Sequence, residues 1–265
     1  MDFGLKGKRA LVCGASAGLG AAVAATLAAE GVELVINGRD YDRLVASATK
    51  IEKATGTKVG LAVGDVSIVA DRVKIINATR EHVREGVLDI LVANSGGPPP
   101  GPFLEHSGDA WSQAGKLLLD SAVSLTRAFL PDMIEQKWGR LIYLTSVAVL
   151  QPMDELILSN AYRAGVTGFC KTVSNTYAKH GITANCVCPG YTATERLASL
   201  VKKRAEAAGV TPREAAQVLA ADVPVGRVGK PEELAATVAF LASETAGYIT
   251  GASIPVDGGL HRGLL

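Results

Sequence analysis

Short apolar segments alternate with helix-length stretches along most of the chain, and this alternation restricts the possible folds. Seven segments have the length and composition of strands: residues 10–12, 34–36, 59–63, 88–93, 140–145, 182–187 and 253–256. Strands that alternate with helices form βαβ units with parallel strands and right-handed crossovers. Because the strands are almost continuously apolar, both faces of the sheet should be covered. The sequence therefore predicts an α/β fold with a doubly wound, mostly parallel seven-stranded sheet.

The chain reads as a single domain. Its 265 residues show no internal repeat and no change in composition that would mark a linker. Two long helices are predicted at 111–135 and 156–180. The polar helical stretch 193–222 is predicted to leave the layered core as a lid over the substrate site. We therefore expect one domain over residues 1–265.

Composition excludes several classes of function. With 27 Lys and Arg against 26 Asp and Glu, the net charge is +1, which argues against a nucleic-acid partner. No apolar stretch reaches the ~18 residues of a membrane span, and no secretory signal is visible at residues 1–9. The four cysteines include no C-x-x-C pair, so core thiols are expected rather than a metal site. A reducing compartment, most simply the cytoplasm, is the expected location.

A glycine-rich turn follows the first predicted strand. It reads Gly14-Ala15-Ser16-Ala17-Gly18-Leu19-Gly20, with a helix directly after it. Glycines at this junction let the backbone approach a diphosphate, and the helix N-terminus offers free N–H groups and a positive dipole end. A purely structural turn is the alternative, but the position between strand and helix favours a dinucleotide site.

Further motifs occur in a fixed order along the chain. They are Asp65-Val66, Ala93-Asn94-Ser95-Gly96, Gly139-Arg140, Ser146, Pro189-Gly190, Thr250-Gly251 and Val256-Asp257-Gly258-Gly259. With this set the chain resembles the short-chain dehydrogenase/reductase family from about residue 6 to 259, most closely in layout the 3-oxoacyl-[acyl-carrier-protein] reductase branch. The resemblance implies a Rossmann fold, a nicotinamide cofactor and a homotetramer or homodimer with the two long helices at the interface.

The resemblance also assigns the residues that would bind the cofactor. They are Gly14, Ser16, Gly18, Leu19, Gly20, Arg39, Asp65, Val66, Asn94, Gly96, Arg163, Pro189, Gly190, Thr192 and Thr194. An NAD-preferring site carries an acidic residue at the end of the second strand, where this chain has Gly38 followed by Arg39. A guanidinium matches a 2′-phosphate in charge and geometry. NADP(H) is therefore favoured over NAD(H), although Arg39 could instead be a solvated turn residue.

The catalytic end departs from the family pattern. The family's serine is present as Ser146, but Ser159 stands at the tyrosine position and Arg163 at the lysine position. Leu118 occupies the place of the asparagine that holds a water. Arginine keeps the positive charge but does not give up its proton, and an aliphatic hydroxyl is a far weaker acid than a phenol. Ribose binding by Arg163 is thus predicted to persist while the proton path is lost or rerouted.

Other groups could take over the proton transfer. Tyr162 lies about 60° around the helix from Ser159, so a relocated phenol is one possibility and a packing role the other. Asp154 and Glu155 precede the same helix and could act as acid or base, or remain solvated. The prolines at 98–100 predict a stiff segment, which is a rigid connector, a preformed wall of the substrate site or, less favoured, a motif that binds a partner.

Three functions remain open. The first is an NADP(H)-dependent oxidoreductase acting on a carbonyl/alcohol pair, in which Ser146 and Ser159 hold the carbonyl, Arg163 fixes the ribose and adds a positive field, and water or Tyr162 supplies the proton. The second is a cofactor-binding homologue without catalysis, perhaps sensory, and the third a lyase or isomerase that uses Asp154 or Glu155. The substrate is a small molecule or a thioester, and Lys202, Lys203 and Arg204 could attract an anionic one.

Overall fold

The computed structural model describes residues 2–83 and 87–264. Its seven strands are β1 Arg9–Val12, β2 Glu33–Gly38, β3 Val59–Val63, β4 Ile90–Ala93, β5 Gly139–Leu144, β6 Ile182–Pro189 and β7 Ser253–Val256. All neighbouring strands pair in parallel, in the order β3-β2-β1-β4-β5-β6-β7. The prediction of a doubly wound, seven-stranded α/β fold is confirmed.

Helices follow the strands. Their bounds are α1 Gly18–Ala29, α2 Tyr41–Thr55, α3 Val69–His82, α4 Gly108–Gly115, α5 Ser121–Glu135, α6 Ile157–Tyr177, α7 Glu195–Ala208, α8 Pro212–Ala221 and α9 Pro231–Ala242. A π-helical turn, Lys116–Asp120, joins α4 to α5. The predicted helix 111–135 therefore begins earlier, because Ser107 caps it by accepting a hydrogen bond from the Ala110 amide. It is also interrupted, because the π turn adds a residue to one of its turns.

Both faces of the sheet are covered. Strand residues alternate between two apolar layers: Ala10 and Val12 pack against α1, α2 and α9, whereas Leu11 packs against the layer of α3, α5 and α6. This alternation follows from the twofold side-chain period of a strand. The strands consequently need apolar residues in both orientations, which explains the near-continuous apolar runs in the sequence.

The stretch 193–222 lies outside these layers and is called the lid segment below. It contains α7 and α8, which share a small apolar cluster of their own formed by Val201, Ala205, Ala215 and Leu219. A single parallel bridge between Thr192 and Gly229 holds its base. The segment therefore carries its own packing and sits beside the carboxyl ends of the strands rather than in the sheet–helix core.

A buried amide joins the C-terminal strand to the sheet. Asn185 on β6 is 1% exposed; its Nδ2 donates to the Ile249 carbonyl (2.8 Å), and its Oδ1 accepts from the Ala252 amide (3.1 Å). Both backbone groups lie in the loop that leads into β7. The amide thus fixes the loop that positions the last strand.

Replacing Asn185 by alanine should lower the free energy of unfolding by about 2–4 kcal/mol, because two buried backbone groups lose their partner and a cavity remains. Urea denaturation followed by circular dichroism measures the change. Asn77→Ala, on the exposed side of α3, is the matched control and should change the midpoint little. Equal midpoints for the two variants would contradict this role of Asn185.

Candidate active site

The glycine-rich turn forms the floor of a crevice at the carboxyl ends of β1 and β4, where the strand order reverses. Gly14 and Gly18 adopt φ of +60° and +59°, a region that glycine enters without strain. A Cβ on Gly20 would fall on the Gly14 carbonyl, and the Asn94 side chain donates to the Cys13 carbonyl (3.1 Å). The turn is therefore closely packed from below and can be built only with glycine.

The start of α1 is open towards this crevice. Ala17, its N-cap residue, provides no side-chain hydrogen bond to the first turn. The first amide groups of a helix have no partner within the helix and bind anions readily. Together with the glycine turn, these amides form a cradle that fits the diphosphate of a dinucleotide.

A crevice of about 1110 Å³ continues from this cradle. All of the predicted cofactor residues line this crevice. They are Gly14, Ser16, Gly18, Leu19, Gly20, Arg39, Asp65, Val66, Asn94, Gly96, Arg163, Pro189, Gly190, Thr192 and Thr194. Its volume is at the upper end of the usual range for ligand pockets. The residues present thus fit an extended nicotinamide dinucleotide.

At one end of the crevice, Gly38 ends β2 beside Ser16. A Cβ on Gly38 would fall on the Ser16 hydroxyl oxygen, so a side chain here would displace Ser16. The exposed Arg39 donates to Asp65 at 3.4 Å. Partial burial raises the pKa of the Asp65 carboxyl, but hydrogen bonds from Ser67 and the charge of Arg39 outweigh this and lower it. A hydroxyl and a cation therefore lie where an NAD-preferring site has a carboxylate.

At the other end, two serine hydroxyls enter the crevice. Ser146 follows β5, and its Oγ accepts from the Ala148 amide (3.1 Å). Ser159 lies in the first turn of α6, and its Oγ accepts from Arg163 Nε (3.2 Å) one turn later. Each hydroxyl therefore uses a lone pair within the protein and keeps its proton free to donate to a ligand.

Arg163 carries a buried positive charge. Its Nη1 donates to the carbonyls of Leu144 (2.7 Å) and Thr145 (2.9 Å) at the end of β5. Desolvation, with the nearby charge of Arg196, lowers the pKa of Arg163 to about 10, so it remains protonated at neutral pH. No carboxylate among the described residues forms an ion pair with it. Binding of the cofactor ribose by Arg163 stays a prediction, since two of the hydrogen bonds that Arg163 donates go to carbonyls at the end of β5.

Leu118 lies in the π turn and borders a separate, small cavity. This cavity of about 20 Å³ is also lined by Asn94, Ser121 and Arg163, and it has room for about one water molecule. Ser121 donates to the Leu117 carbonyl (2.6 Å) and so satisfies one of the groups that the π turn frees. An apolar side chain therefore occupies the position where the family resemblance predicts a water-holding amide.

Tyr162 is not part of the crevice lining. Its ring packs on Trp111, with centroids 5.9 Å apart, and a Cβ on Gly115 would lie 3.0 Å from it. Gly115 thus makes room for the phenol between α4 and α6. The rotation of about 60° from Ser159 turns Tyr162 into this helix contact. The geometry supports the packing alternative and does not favour a proton donor.

The proline segment and the loop before α6 form the outer wall. The Gly101 amide donates to the Glu155 carbonyl (2.9 Å), and Gly101 bridges to Leu156. The prolines at 98–100 and the acidic residues Asp154 and Glu155 line the crevice. Glu155 meets Arg204 of α7 at 4.0 Å, with both side chains exposed. The prolines therefore border the crevice, their role as a wall beside the substrate stays a prediction, and Glu155 is a solvated ion-pair partner at the rim.

Several charged crevice residues were not predicted from the sequence. Arg43 of α2 donates to Glu195 of α7 at 2.7 Å and links the first half of the fold to the lid segment. Arg196 extends from α7 to Gly97, where a Cβ would fall on the guanidinium. Of the three basic residues that the sequence suggested could attract an anionic substrate, Lys203 and Arg204 line the same space, whereas Lys202 is not among the lining residues. Only the position of Arg196 two residues after Thr194 could have indicated that it belongs to the site.

The four cysteines are buried and unpaired. Burial raises the pKa of the Cys13 thiol to about 12.

Within residues 2–83 and 87–264, no group of three or more His, Cys, Asp or Glu side chains could hold a metal ion. In the same part of the chain, no helix has both the length and the apolarity needed to cross a membrane.

Known proteins resemble the chain over its whole length. A family model described as enoyl-(acyl carrier protein) reductase matches residues 14–261. The 3-oxoacyl-[acyl-carrier-protein] reductase FabG of Aquifex aeolicus is 33% identical over 262 residues, 98% of this chain and 100% of the relative. The D-beta-hydroxybutyrate dehydrogenase of Cupriavidus necator is 32% identical, over 96% of this chain and 98% of its own. L-sorbose reductase from Gluconobacter frateurii, solved with NADPH and L-sorbose, has a TM-score of 0.94, 31% identity and full coverage of both chains.

The two arginines of the crevice should differ in their effect on stability. Arg163→Met leaves two buried carbonyls without this donor and should lower the free energy of unfolding by about 1–3 kcal/mol. Arg196→Met removes no hydrogen bond and should stay within about 0.5 kcal/mol of the parent. Urea denaturation of both variants measures the difference. A larger loss for Arg196→Met would contradict the bonding pattern described above.

Proposed function

The chain belongs to the short-chain dehydrogenase/reductase family, and on this premise we propose that it is an NADP(H)-dependent oxidoreductase for a carbonyl/alcohol pair, with a proton path of its own. One observation carries the proposal: the diphosphate cradle at Gly14–Gly20 and the hydroxyls of Ser146 and Ser159 open into the same crevice. Relatives named as reductases or dehydrogenases of such pairs support it.

The cofactor supplies and accepts hydride when it is bound, and the chain positions it. The α1 amides and the glycine turn would hold its diphosphate, and Asp65 and Val66 would bind its adenine. Ser16 and Arg39 would bind a 2′-phosphate in the space that Gly38 leaves open. Asn94 and Gly96 would contact the cofactor further along, and Thr192 and Thr194 would bind its carboxamide end. The NADPH bound in L-sorbose reductase supports the same choice of cofactor.

The substrate carbonyl is polarised by the two serines. Both Ser146 and Ser159 can donate a proton to its oxygen, because their lone pairs already accept from the Ala148 amide and from Arg163 Nε. The buried charge of Arg163 strengthens the Ser159 hydroxyl as a donor and stabilises negative charge that develops on the oxygen. Fixed donors in a site of low polarity are the most effective stabilisers of an oxyanion.

The proton that completes the alcohol comes from water in the crevice, passed through the Ser159 hydroxyl. Arg163, with its pKa of about 10, keeps its own proton at neutral pH, and Tyr162 packs against Trp111 outside the crevice. In the reverse direction the same hydroxyl receives the proton of the alcohol and returns one to water. We expect slower turnover than with a phenol of matched acidity.

The resemblance further supports a homo-oligomer, a tetramer or dimer, built on the long helices α5 and α6. It leaves two substrate classes, a small molecule or a thioester such as that named for the FabG relatives. Both would enter between the prolines at 98–100 and the lid segment.

The decisive experiment is a fluorescence titration of the purified protein with NADPH and NADH, followed by cofactor oxidation assays with ketones, diketones and 3-oxoacyl thioesters. We expect saturable NADPH binding and its oxidation with at least one compound. Gly20→Ala should abolish binding because its Cβ meets the Gly14 carbonyl, whereas Gly108→Ala, with open space around it, should bind normally. Tight binding without any turnover would contradict the proposal and favour a non-catalytic homologue; absence of binding would refute the cofactor assignment.

Gly38→Asp tests the preference for the 2′-phosphate. The new side chain displaces Ser16 and brings a negative charge next to Arg39, so the Kd for NADPH should rise by about tenfold or more. The Kd for NADH, which has no 2′-phosphate, serves as the internal control and should stay equal or fall. A parallel rise in both constants would mean general damage to the site, and unchanged constants would place the 2′-phosphate elsewhere.

A further inference from the structure

Arg196 spans the crevice from the lid segment to the β4 loop. It is the second residue of α7, yet its guanidinium lies so close to Gly97 that a Cβ there would overlap Cζ and both terminal nitrogens. Glycine at position 97 is what admits the side chain. Among the described residues, no group accepts a hydrogen bond from Arg196 and no carboxylate forms an ion pair with it.

The other arginines that reach the crevice from or towards α7 have acidic partners. Arg43 meets Glu195 at 2.7 Å, and Arg204 meets Glu155 at 4.0 Å. Arg196 thus differs from Arg43 and Arg204 in that no carboxylate in the described part of the chain pairs with its guanidinium. Desolvation lowers the pKa of the Arg196 guanidinium, which means that neighbouring atoms exclude part of its water without replacing it by an acceptor.

A second cation faces the same space. The charge of Arg196 contributes to the lowered pKa of Arg163, so the two guanidinium groups repel each other across the crevice. Two like charges that share a partly desolvated site cost free energy unless an anion lies between or beside them. Among the residues described, no carboxylate forms an ion pair with either guanidinium.

We propose that Arg196 binds a carboxylate on the substrate, so that the substrates are oxo acids and the corresponding hydroxy acids. This inference rests on the proposed function, because it assigns the substrate of the same crevice. A guanidinium matches a carboxylate through two parallel hydrogen bonds. The carboxylate at Arg196 and the carbonyl at Ser146 and Ser159 would then fix the substrate at two points.

The cofactor diphosphate is the competing anion, and position argues against it. The diphosphate cradle is the turn Gly14–Gly20, where a Cβ on Gly18 would lie 3.4 Å from Thr194. The Arg196 guanidinium lies instead against Gly97, directly before the prolines at 98–100. We therefore place it on the substrate side of the crevice.

Malonate, which carries carboxylates but no reducible carbonyl, is the probe for this site. In the presence of saturating NADPH, calorimetry should detect malonate binding to the parent protein but not binding of dimethyl malonate. Arg196→Gln should raise the Kd for malonate by about tenfold or more, while the Kd for NADPH changes less than about twofold. Lys202→Gln is the matched control, because Lys202 lies on the same helix, contacts Glu206 and does not line the crevice.

Three results would overturn the assignment: equal malonate affinity in the parent and Arg196→Gln, no malonate binding to the parent, or a tenfold weaker NADPH complex in Arg196→Gln, which would assign Arg196 to the diphosphate. A kinetic comparison needs no variant: kcat/KM for acetoacetate should exceed that for methyl acetoacetate by about tenfold. Equal kcat/KM for acetoacetate and methyl acetoacetate would refute the carboxylate site but not the proposed function. Failure of the parent to bind NADPH would instead refute the proposed function.

Discussion

The burial of a parallel sheet on both faces is the constraint from which the site follows. Every connection must then return across a face of the sheet, so the strand carboxyl ends all meet at one edge. At the junction of β1 and β4 the helices leave on opposite faces, and a crevice opens between them. The glycine turn, Asn94, Ser146 and Gly190 each follow a different strand, yet this geometry brings them to one space. Binding residues that are far apart in sequence are therefore neighbours without any special folding of loops.

At the catalytic end, Ser159 and Arg163 stand in place of the family's tyrosine and lysine, and the two replacements depend on each other. Ser159 and Arg163 are one helical turn apart, and the contact between Nε and Oγ requires a short side chain at 159. The guanidinium then reaches the carbonyls of Leu144 and Thr145, which fixes its orientation. Such an arrangement offers a permanent charge and weakly acidic hydroxyls rather than a titrating acid. It is suited to stabilising an oxyanion and leaves delivery of the proton to solvent.

The sequence predicted those features that depend on local pattern. The strand positions and the glycine turn follow from periodicity and spacing, and the structure agrees with both. The assignment of Ser159 and Arg163 to the family's tyrosine and lysine positions follows from the resemblance. The π turn at Lys116–Asp120 was not predicted, because one additional residue in a helical turn leaves the apolar pattern nearly unchanged. The orientation of Tyr162 depends on the absence of a side chain at Gly115 on another helix. The contact of Arg196 with Gly97 joins residues separated by nearly a hundred positions, and no local signal reports such a pair.

The lid segment is attached to the rest of the fold by contacts of unequal strength. Its own apolar cluster is small, and the ion pairs of Arg43 with Glu195 and of Arg204 with Glu155 are exposed. Exposed pairs of this kind contribute little to stability because solvent screens them. Arg196, by contrast, enters the crevice with no hydrogen-bond or ion-pair partner in the described part of the chain, so a bound anion would add a contact. Ligand binding would then strengthen the attachment of the lid segment to the rest of the fold, in addition to holding the ligand itself.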